Sequence, residues 1–260
     1  MTETAHELWE RLRAFAMRDI EQLANLTKRT ASSESGAEIV LHGSKVRRYT
    51  ADEDGLRAAV SAAADYDTII IPAVYIELSG TLNISKRIRL VGPRAPVRQL
   101  NFDQYHKGAL IGNASGFVSG NLVSVSVGQV SFDSLAFSFS ANSSGLVRGI
   151  SAGNTGYSFR DVLVYVNNNG SGSAYGIQYA FYAALSRVYV FASATSGTAI
   201  GLLVGPASAT NLVADLCYFE GKSTSGQGYG CRTHACSGEI AHCGFLGTTT
   251  GLSIDSYGGG

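Results

Sequence analysis

Apolar residues between Val130 and Leu252 recur in one short pattern that appears five times. In each copy, apolar residues occupy the first, fourth and sixth positions. The copies are Phe132/Leu135/Phe137, Phe159/Val162/Val164, Leu185/Val188/Val190, Val213/Leu216/Tyr218 and Ile240/Cys243/Phe245, and their first residues lie 27, 26, 28 and 27 positions apart. A nearly constant period of this length indicates a solenoid, in which each repeat forms one coil.

A second apolar segment follows each copy and begins with a glycine. These segments start at Gly149-Ile150, Gly176-Ile177, Gly201-Leu202, Gly230-Cys231 and Gly251-Leu252. Apolar and polar side chains alternate within the copies, and Val, Phe, Tyr, Ser and Gly dominate them, so the segments are expected to be strands rather than helices. One coil cannot bury its own apolar face and must stack on its neighbours. The sequence therefore predicts an all-β fold, a single-stranded parallel β-helix with about 27 residues per coil.

Stacking places residues of equal offset in columns, with about 4.8 Å between coils. The column two residues after the first apolar position reads Ser134, Asp161, Arg187, Asp215 and His242. One interpretation is a solvated ladder of ion pairs. The other is a carboxylate pair for glycoside cleavage, because Asp161 and Asp215 would lie about 9.6 Å apart by that spacing, near the separation in inverting hydrolases. Arg187 between them would lower the pKa of both carboxyl groups, which argues against a general acid.

Glu220 is a third candidate for acid or base chemistry. Its offset matches inward positions of the other coils, where burial would raise the pKa of its carboxyl group. A loop that starts early, at Gly221, would instead turn the side chain into solvent, and this is the outcome we expect.

The next two outward columns are unexpectedly apolar. They read Ala136, Leu163, Tyr189, Cys217, Gly244 and Ser138, Tyr165, Phe191, Phe219, Leu246. Soluble monomers avoid such patches, so something is expected to cover them. Packing of identical subunits is the favoured explanation. A sugar-binding groove with Tyr165 and Tyr189 as its floor, flanked by Arg187 and Phe191, is the alternative.

The first 30 residues are expected to form a separate amphipathic helix. Leu8, Leu12, Phe15, Leu23 and Leu26 are spaced mostly by threes and fours, with charged residues between them. A polar linker over residues 31–49 separates this helix from the rest. The helix either packs on its own domain or, as we favour, joins subunits or attaches the protein to a larger assembly.

Residues 50–92 carry a resemblance to a known family. A short Ala-rich helix is expected from Asp54 to Ala64, and strands are expected at Thr68–Ile71, Tyr75–Leu78, Leu82–Ile84 and Ile88–Val91. This arrangement resembles the capping helix and first coils of right-handed parallel β-helix proteins of the pectate-lyase-like superfamily, especially bacteriophage tailspikes. The family usually has Pro-Gly before a Tyr, whereas this chain has Pro72-Ala73-Val74-Tyr75. The remaining solenoid is expected over residues 93–260, and its open end is expected either to be covered by another subunit or to continue in a longer chain.

The resemblance implies a virion protein made in the host cytoplasm. It would be a homotrimeric tailspike or tail-fibre component that binds a host surface glycan and contacts other tail or baseplate proteins through its N-terminal helix. Two alternatives share the fold. One is a depolymerase, a polysaccharide lyase or glycoside hydrolase acting on such a glycan, and the other is a structural spacer without a ligand.

Composition narrows these alternatives only slightly. The 20 basic and 20 acidic side chains balance, so nucleic acid is not expected as a partner. No apolar run approaches the length of a spanning helix, and residues 1–15 do not have the pattern of a secretory signal. Cys217, Cys231, Cys236 and Cys243 lie close in sequence, but their spacing is not that of a zinc site, and we expect neither metal nor cofactor.

Overall fold

The computed structural model describes residues 37–93, 108–153, 156–205, 210–234 and 236–255. The predicted N-terminal helix and most of the segment between Gly92 and Gly108 lie outside these residues. The described chain forms an all-β solenoid of about five turns, with coils of about 27 residues. The predicted parallel β-helix architecture is thereby confirmed.

Each coil has three walls. A bend separates the first wall from the second, and in five coils one residue of this bend has a left-handed backbone. These two walls belong to one sheet of 14 strands. The third wall is a separate sheet of seven strands. First-wall strands are β3 (Thr68–Ile70), β6 (Arg89–Val91), β9 (Ser131–Asp133), the first part of β12 (Tyr157–Asn168), the first part of β14 (Tyr182–Ala194), β16 (Thr210–Asp215) and β19 (Cys236–Ala241).

The other two walls follow in chain order within each coil. Second-wall strands are β4 (Tyr75–Leu78), β7 (Ala109–Asn113), β10 (Leu135–Ala141), the later parts of β12 and β14, β17 (Tyr218–Ser223) and β20 (Gly244–Gly247). Third-wall strands are β5 (Leu82–Ile84), β8 (Gly120–Val125), β11 (Val147–Ala152), β13 (Ala174–Tyr179), β15 (Ala199–Val204), β18 (Gly228–His234) and β21 (Thr250–Asp255). All neighbouring strands along these walls pair in parallel.

The N-terminal end of the solenoid is covered by a hairpin and a helix. Strands β1 (Glu38–His42) and β2 (Arg47–Thr50) pair antiparallel, and β1 also pairs antiparallel with β3. These strands lie in a segment that was expected to be a linker. Helix α1 (Glu53–Ala62) confirms the predicted helix, and an Asp52 carboxylate oxygen caps it by accepting a hydrogen bond from the Gly55 N–H at 2.7 Å. The cap covers strand edges that would otherwise be open.

The interior consists of apolar columns that stack from coil to coil. The Phe132 and Phe159 rings are stacked with centroids 5.2 Å apart, and the Phe219 and Phe245 rings repeat this arrangement at 5.6 Å. The glycines that begin the third-wall motifs lie close to the second wall, facing valine side chains at Gly149 and Gly176 and mainly backbone atoms at Gly201, Gly230 and Gly251. At Gly176 there is no room for a methyl group, because an added Cβ would lie 2.1 Å from Cγ1 of Val190. Glycine is therefore required by close packing at this position.

The fourth repeat has a different register from the predicted one. The chain places Ala214, Cys217 and Phe219 in the core columns, where the pattern had placed Val213, Leu216 and Tyr218. Val213 is 38% exposed and Leu216 is 48% exposed. The prediction was wrong because both sets of residues fit the apolar spacing, and a slip of one residue turns every side chain of a strand to the other face.

Asn168 fixes the corner between the second and third walls of its coil. It is fully buried, and its Oδ1 accepts hydrogen bonds from the Ser143 and Gly170 N–H groups, each at 3.0 Å. Its Nδ2 donates to the Gly145 and Ser173 carbonyls at 3.1 and 3.3 Å. One side chain thus pairs backbone groups of two adjacent coils, which removes the cost of burying them unpaired.

Candidate functional site

The bend between the first and second walls carries a column of charged and polar side chains. Five residues at this bend have a left-handed backbone with φ between 51° and 56°: Ser134, Asp161, Arg187, Leu216 and His242. Four of them belong to the column that the sequence predicted. Leu216 stands where Asp215 was expected, because the fourth repeat is displaced by one residue.

Asp161 and Arg187 form a bidentate ion pair across neighbouring coils. Arg187 Nε donates to Asp161 Oδ1 at 2.6 Å, and Arg187 Nη2 donates to Asp161 Oδ2 at 2.8 Å. The hydrogen bonds to Asp161 raise the pKa of the Arg187 guanidinium. Both oxygens of Asp161 are therefore engaged with one guanidinium group in a bidentate contact.

A second set of charges lies beside this pair on the first wall. Asp133 accepts hydrogen bonds from the guanidinium groups of Arg89 and Arg160 and from the Ser134 hydroxyl. Burial opposes ionisation of Asp133, but these hydrogen bonds outweigh it and hold the pKa of the carboxyl group below its usual value. These hydrogen bonds connect three consecutive coils at the surface of the first wall, so the charged side chains have a structural role there.

The three predicted acid and base candidates do not form one site. Asp215 lies before the bend and contacts His242 at 3.1 Å, with both side chains largely exposed. Asp161 lies two coils away, on the other side of Arg187. Glu220 lies after the bend, in the second wall. The described residues thus present no pair of carboxyl groups facing each other across a cleft.

Glu220 occupies a position that neither sequence interpretation anticipated. It lies in the middle of β17, between Phe191 and Leu246 of the adjacent coils, on the outward face of the second wall. It is nevertheless only 7% exposed, and its Oε2 accepts a hydrogen bond from the Tyr218 hydroxyl at 2.9 Å. The expected loop at Gly221 is absent, since β17 continues to Ser223.

Three of the four predicted binding residues, Tyr165, Tyr189 and Phe191, belong to an outer apolar cluster on the second wall, whereas Arg187 lies at the bend and pairs with Asp161. Ala136, Leu163 and Phe191 are buried there, with Leu110, Tyr165, Tyr189 and Tyr218 packed against them. Burial raises the pKa of Tyr165 to about 12 and also raises that of Tyr189. The Phe191 and Tyr218 rings lie 5.5 Å apart. Of the two outward columns predicted to be apolar, Cys217 and Phe219 belong instead to the core, and Tyr218 and Glu220 take their places.

The third wall carries an outward polar and aromatic surface that the sequence interpretation missed. Arg148 Nε donates to Gln178 Oε1 at 2.6 Å, and Arg148 Nη1 donates to Asn121 Oδ1 at 3.1 Å. The same guanidinium lies 5.9 Å from the Tyr175 ring centroid. All four side chains are partly exposed. We call this group, together with the pair described next, the third-wall surface.

A similar pair extends this surface toward the C-terminal coils. Arg232 lies over the Tyr229 ring at 5.2 Å from its centroid. Tyr175 and Tyr229 occupy the same column, separated by the coil of Ile200. No Asp or Glu occurs in β5, β8, β11, β13, β15 or β18. A detectable signal existed in the sequence, because Arg148, Tyr175 and Tyr229 each directly precede one of the repeated glycines.

In the described part of the chain, the His, Cys, Asp and Glu residues include no group of three or more placed to hold a metal ion. Cys217, Cys231 and Cys243 are in the reduced form. None of the helices in the described ranges is long and apolar enough to cross a membrane.

Comparison with known proteins gives no identification. No protein-family model, no curated protein and no solved structure matches this chain. The functional argument therefore depends on the geometry of the solenoid and its surfaces.

Proposed function

We propose that the chain is a right-handed, pectate-lyase-like β-helix that binds a bacterial surface glycan as a component of a bacteriophage tailspike or tail fibre. The capped solenoid supports the fold part of this proposal, because α1 and the short strands that follow it match the arrangement that the sequence resemblance implied. The virion role rests on that resemblance. The glycan role rests on the third-wall surface.

The observation that carries the glycan proposal is the combination of Arg148, Gln178 and Asn121 with the rings of Tyr175 and Tyr229. Sugars present apolar ring faces, which pack on aromatic rings, and hydroxyl groups, which exchange hydrogen bonds with amide and guanidinium groups. A repeat of about 4.8 Å from coil to coil presents these groups along a line, which suits an extended polymer. The bonds among Arg148, Gln178 and Asn121 hold the side chains in place before binding, so less entropy is lost.

The test measures binding of the full chain to a panel of purified lipopolysaccharides and capsular polysaccharides from different bacteria. We expect at least one to bind, and we expect Tyr175→Ala to weaken that binding about tenfold or more, as for an aromatic residue at the centre of an interface. Arg48→Ala serves as the matched control, because Arg48 forms an exposed ion pair with Glu38 at the capped end. The proposal fails if no polysaccharide binds, or if both variants bind equally.

An enzyme of the same fold is the second candidate, and Glu220 with the Tyr218 hydroxyl favours it. A mostly buried carboxyl group beside a phenol is a plausible acid or base if a sugar reaches the second wall. The bound polysaccharide would then release reducing ends or unsaturated sugars during incubation. Glu220→Gln should abolish that release, while Tyr218→Phe, which keeps the ring, should reduce it. Binding without release leaves attachment as the function.

The homotrimer is also a proposal, as is attachment of residues 1–30 to other tail proteins. Exposed apolar side chains in the last two described coils support self-association: Val213, Leu216, Ile240, Leu246, Leu252 and Ile254. Light scattering coupled to size exclusion should give a trimer for the full chain and a weaker one for Ile254→Asp, where Ile254 is 68% exposed. A stable monomer would contradict the trimer. A trimer without any glycan binding would favour a structural spacer.

A further inference from the structure

Cys217 and Cys243 occupy equivalent positions in the last two described coils. Their neighbours pair in register, Tyr218 with Gly244 and Phe219 with Phe245, and the Gly244 N–H donates to the Cys217 carbonyl at 2.9 Å. The two Cα atoms are therefore separated by about one strand spacing, 4.8 Å. This spacing is within the range of Cα separations that a disulfide spans, about 4.4–6.8 Å.

The two thiols also have the same orientation. Cys217 Sγ donates to the Asp215 carbonyl at 3.2 Å, and Cys243 Sγ donates to the Ala241 carbonyl at 3.1 Å. Each sulfur thus folds back over the residue two positions earlier, and both side chains point into the same core. Because backbone and side chain repeat from one coil to the next, the sulfur atoms lie one above the other.

The two cysteines differ in access to solvent. Cys217 is 3% exposed, whereas Cys243 belongs to the last described coil and is partly exposed. A hydrogen bond with Cys217 lowers the pKa of the Cys243 thiol, and the same contact together with burial raises the pKa of Cys217. The accessible thiol is therefore also the one that ionises more readily, which makes it the nucleophile of the pair.

We propose that Cys217 and Cys243 are an oxidation site, at which hydrogen peroxide converts the two thiols into a disulfide that joins the last two described coils. The Cys243 thiolate attacks one peroxide oxygen, the O–O bond breaks, and the departing hydroxide takes a proton and leaves as water. The sulfur is oxidised to a sulfenic acid while the peroxide is reduced. Cys217 sulfur then attacks Cys243 sulfur; the S–O bond breaks, and the hydroxide leaves as a second water with the Cys217 proton.

This disulfide would connect chain positions 217 and 243 and fix the two coils to each other. Closing a loop of this length stabilises folded proteins appreciably, and for a chain of this size we expect Tm to rise by about 5 °C on oxidation. The inference is independent of glycan binding. It concerns core residues next to the bend between the first and second walls, not the third-wall surface.

The test treats the reduced full chain with a small excess of hydrogen peroxide. We expect two of the four thiols to disappear, the mass to fall by about 2 Da, and a non-reducing peptide map to join the peptides that contain Cys217 and Cys243. Dithiothreitol should restore both thiols. Cys231→Ala is the matched control, because Cys231 is a buried core residue of the third wall, and it should leave the cross-link unchanged.

Cys243→Ala should abolish the cross-link and leave Cys217 reduced, since Cys217 is buried. The proposal is overturned if the map joins other cysteines, or if Cys243 proceeds to sulfinic acid while Cys217 stays a thiol. It is equally overturned if both remain thiols. The wild-type peptide map decides the question even if a variant fails to fold.

Discussion

Gly176→Ala tests whether the narrow interior between the second and third walls determines stability. The new methyl carbon would lie 2.1 Å from Val190 Cγ1 and 2.6 Å from the Gly201 carbonyl oxygen. Carbon atoms in contact prefer about 3.5–4.0 Å, so Val190 would have to move by about 1.5 Å. Val190 is fully buried between Val164 and Phe219 of the adjacent coils, so these coils would have to move as well.

We expect this substitution to lower the free energy of unfolding by about 2–3 kcal/mol. Overpacking of a rigid core costs about 1–3 kcal/mol, and the clash with a backbone oxygen places the cost at the upper end. Replacing glycine by alanine also lowers the conformational entropy of the unfolded chain, which stabilises the folded state by about 0.5 kcal/mol. Urea denaturation followed by circular dichroism measures the difference, and an unchanged slope would show that the midpoint reflects stability alone.

Gly116→Ala is the matched control. Gly116 is exposed, and no atom lies within 4 Å of an added Cβ there. We expect its effect to stay within about 0.5 kcal/mol. In a Val190→Ala background, the Gly176→Ala penalty should shrink by about half, because the side-chain clash is relieved while the backbone clash remains. Equal midpoints for Gly176→Ala and Gly116→Ala would refute the reasoning.

Three further predictions concern the buried corner residue Asn168, the ion-paired carboxylate Asp133 and the bend residue Leu216. Asn168→Ala should lower the free energy of unfolding by about 2–3 kcal/mol in urea denaturation, because four partly buried backbone groups lose their partner, whereas Asn167→Ala should lower it by under about 1 kcal/mol. The pKa of Asp133 is lower in the folded protein, so its carboxylate stabilises the fold above about pH 4 and loses this effect as the pH falls further. In Asp133→Asn, the free energy of unfolding should therefore decline less steeply between about pH 4 and pH 2. Leu216→Asn should raise the free energy of unfolding by about 0.5–1 kcal/mol, because Leu216 is exposed and has a φ of 53°, which asparagine tolerates better than leucine. Val213→Asn is the control, and a lower Tm for Leu216→Asn would contradict the prediction.

The solenoid was predictable because its apolar residues recur with a nearly constant period, and because stacking is the only way to bury them. The register of one coil was not. Leu212, Ala214, Cys217 and Phe219 form an apolar series that runs beside the series of Val213, Leu216 and Tyr218. Nothing local distinguishes the two, and only pairing with the adjacent coils decides which series points inward.

The surfaces were harder to predict than the core. Arg187 and Asp161 were placed correctly in one column, because their repeats differ by a single coil of regular length. The contact of Arg89 with Asp133 spans an irregular part of the sequence, where no period indicates which residues become neighbours. In the third-wall surface, Arg148, Gln178 and Asn121 differ in type from coil to coil, so only the residues directly before the repeated glycines, such as Tyr175 and Tyr229, mark this surface in the sequence.

The single left-handed residue at each bend also governs where such a chain can change in length. In five consecutive coils, from Ser134 to His242, the first and second walls are joined through one left-handed residue, with at most one further residue between the strands. The same junction is long only nearer the N-terminal cap, where 17 residues separate β6 from β7. The corner between the third and first walls varies within the regular coils: β13 and β14 are separated by two residues, from Tyr179 to Tyr182, whereas β15 and β16 are separated by five, from Val204 to Thr210. In related chains, the five left-handed bends should therefore keep their length, while insertions and deletions accumulate at the third-to-first corner and between β6 and β7.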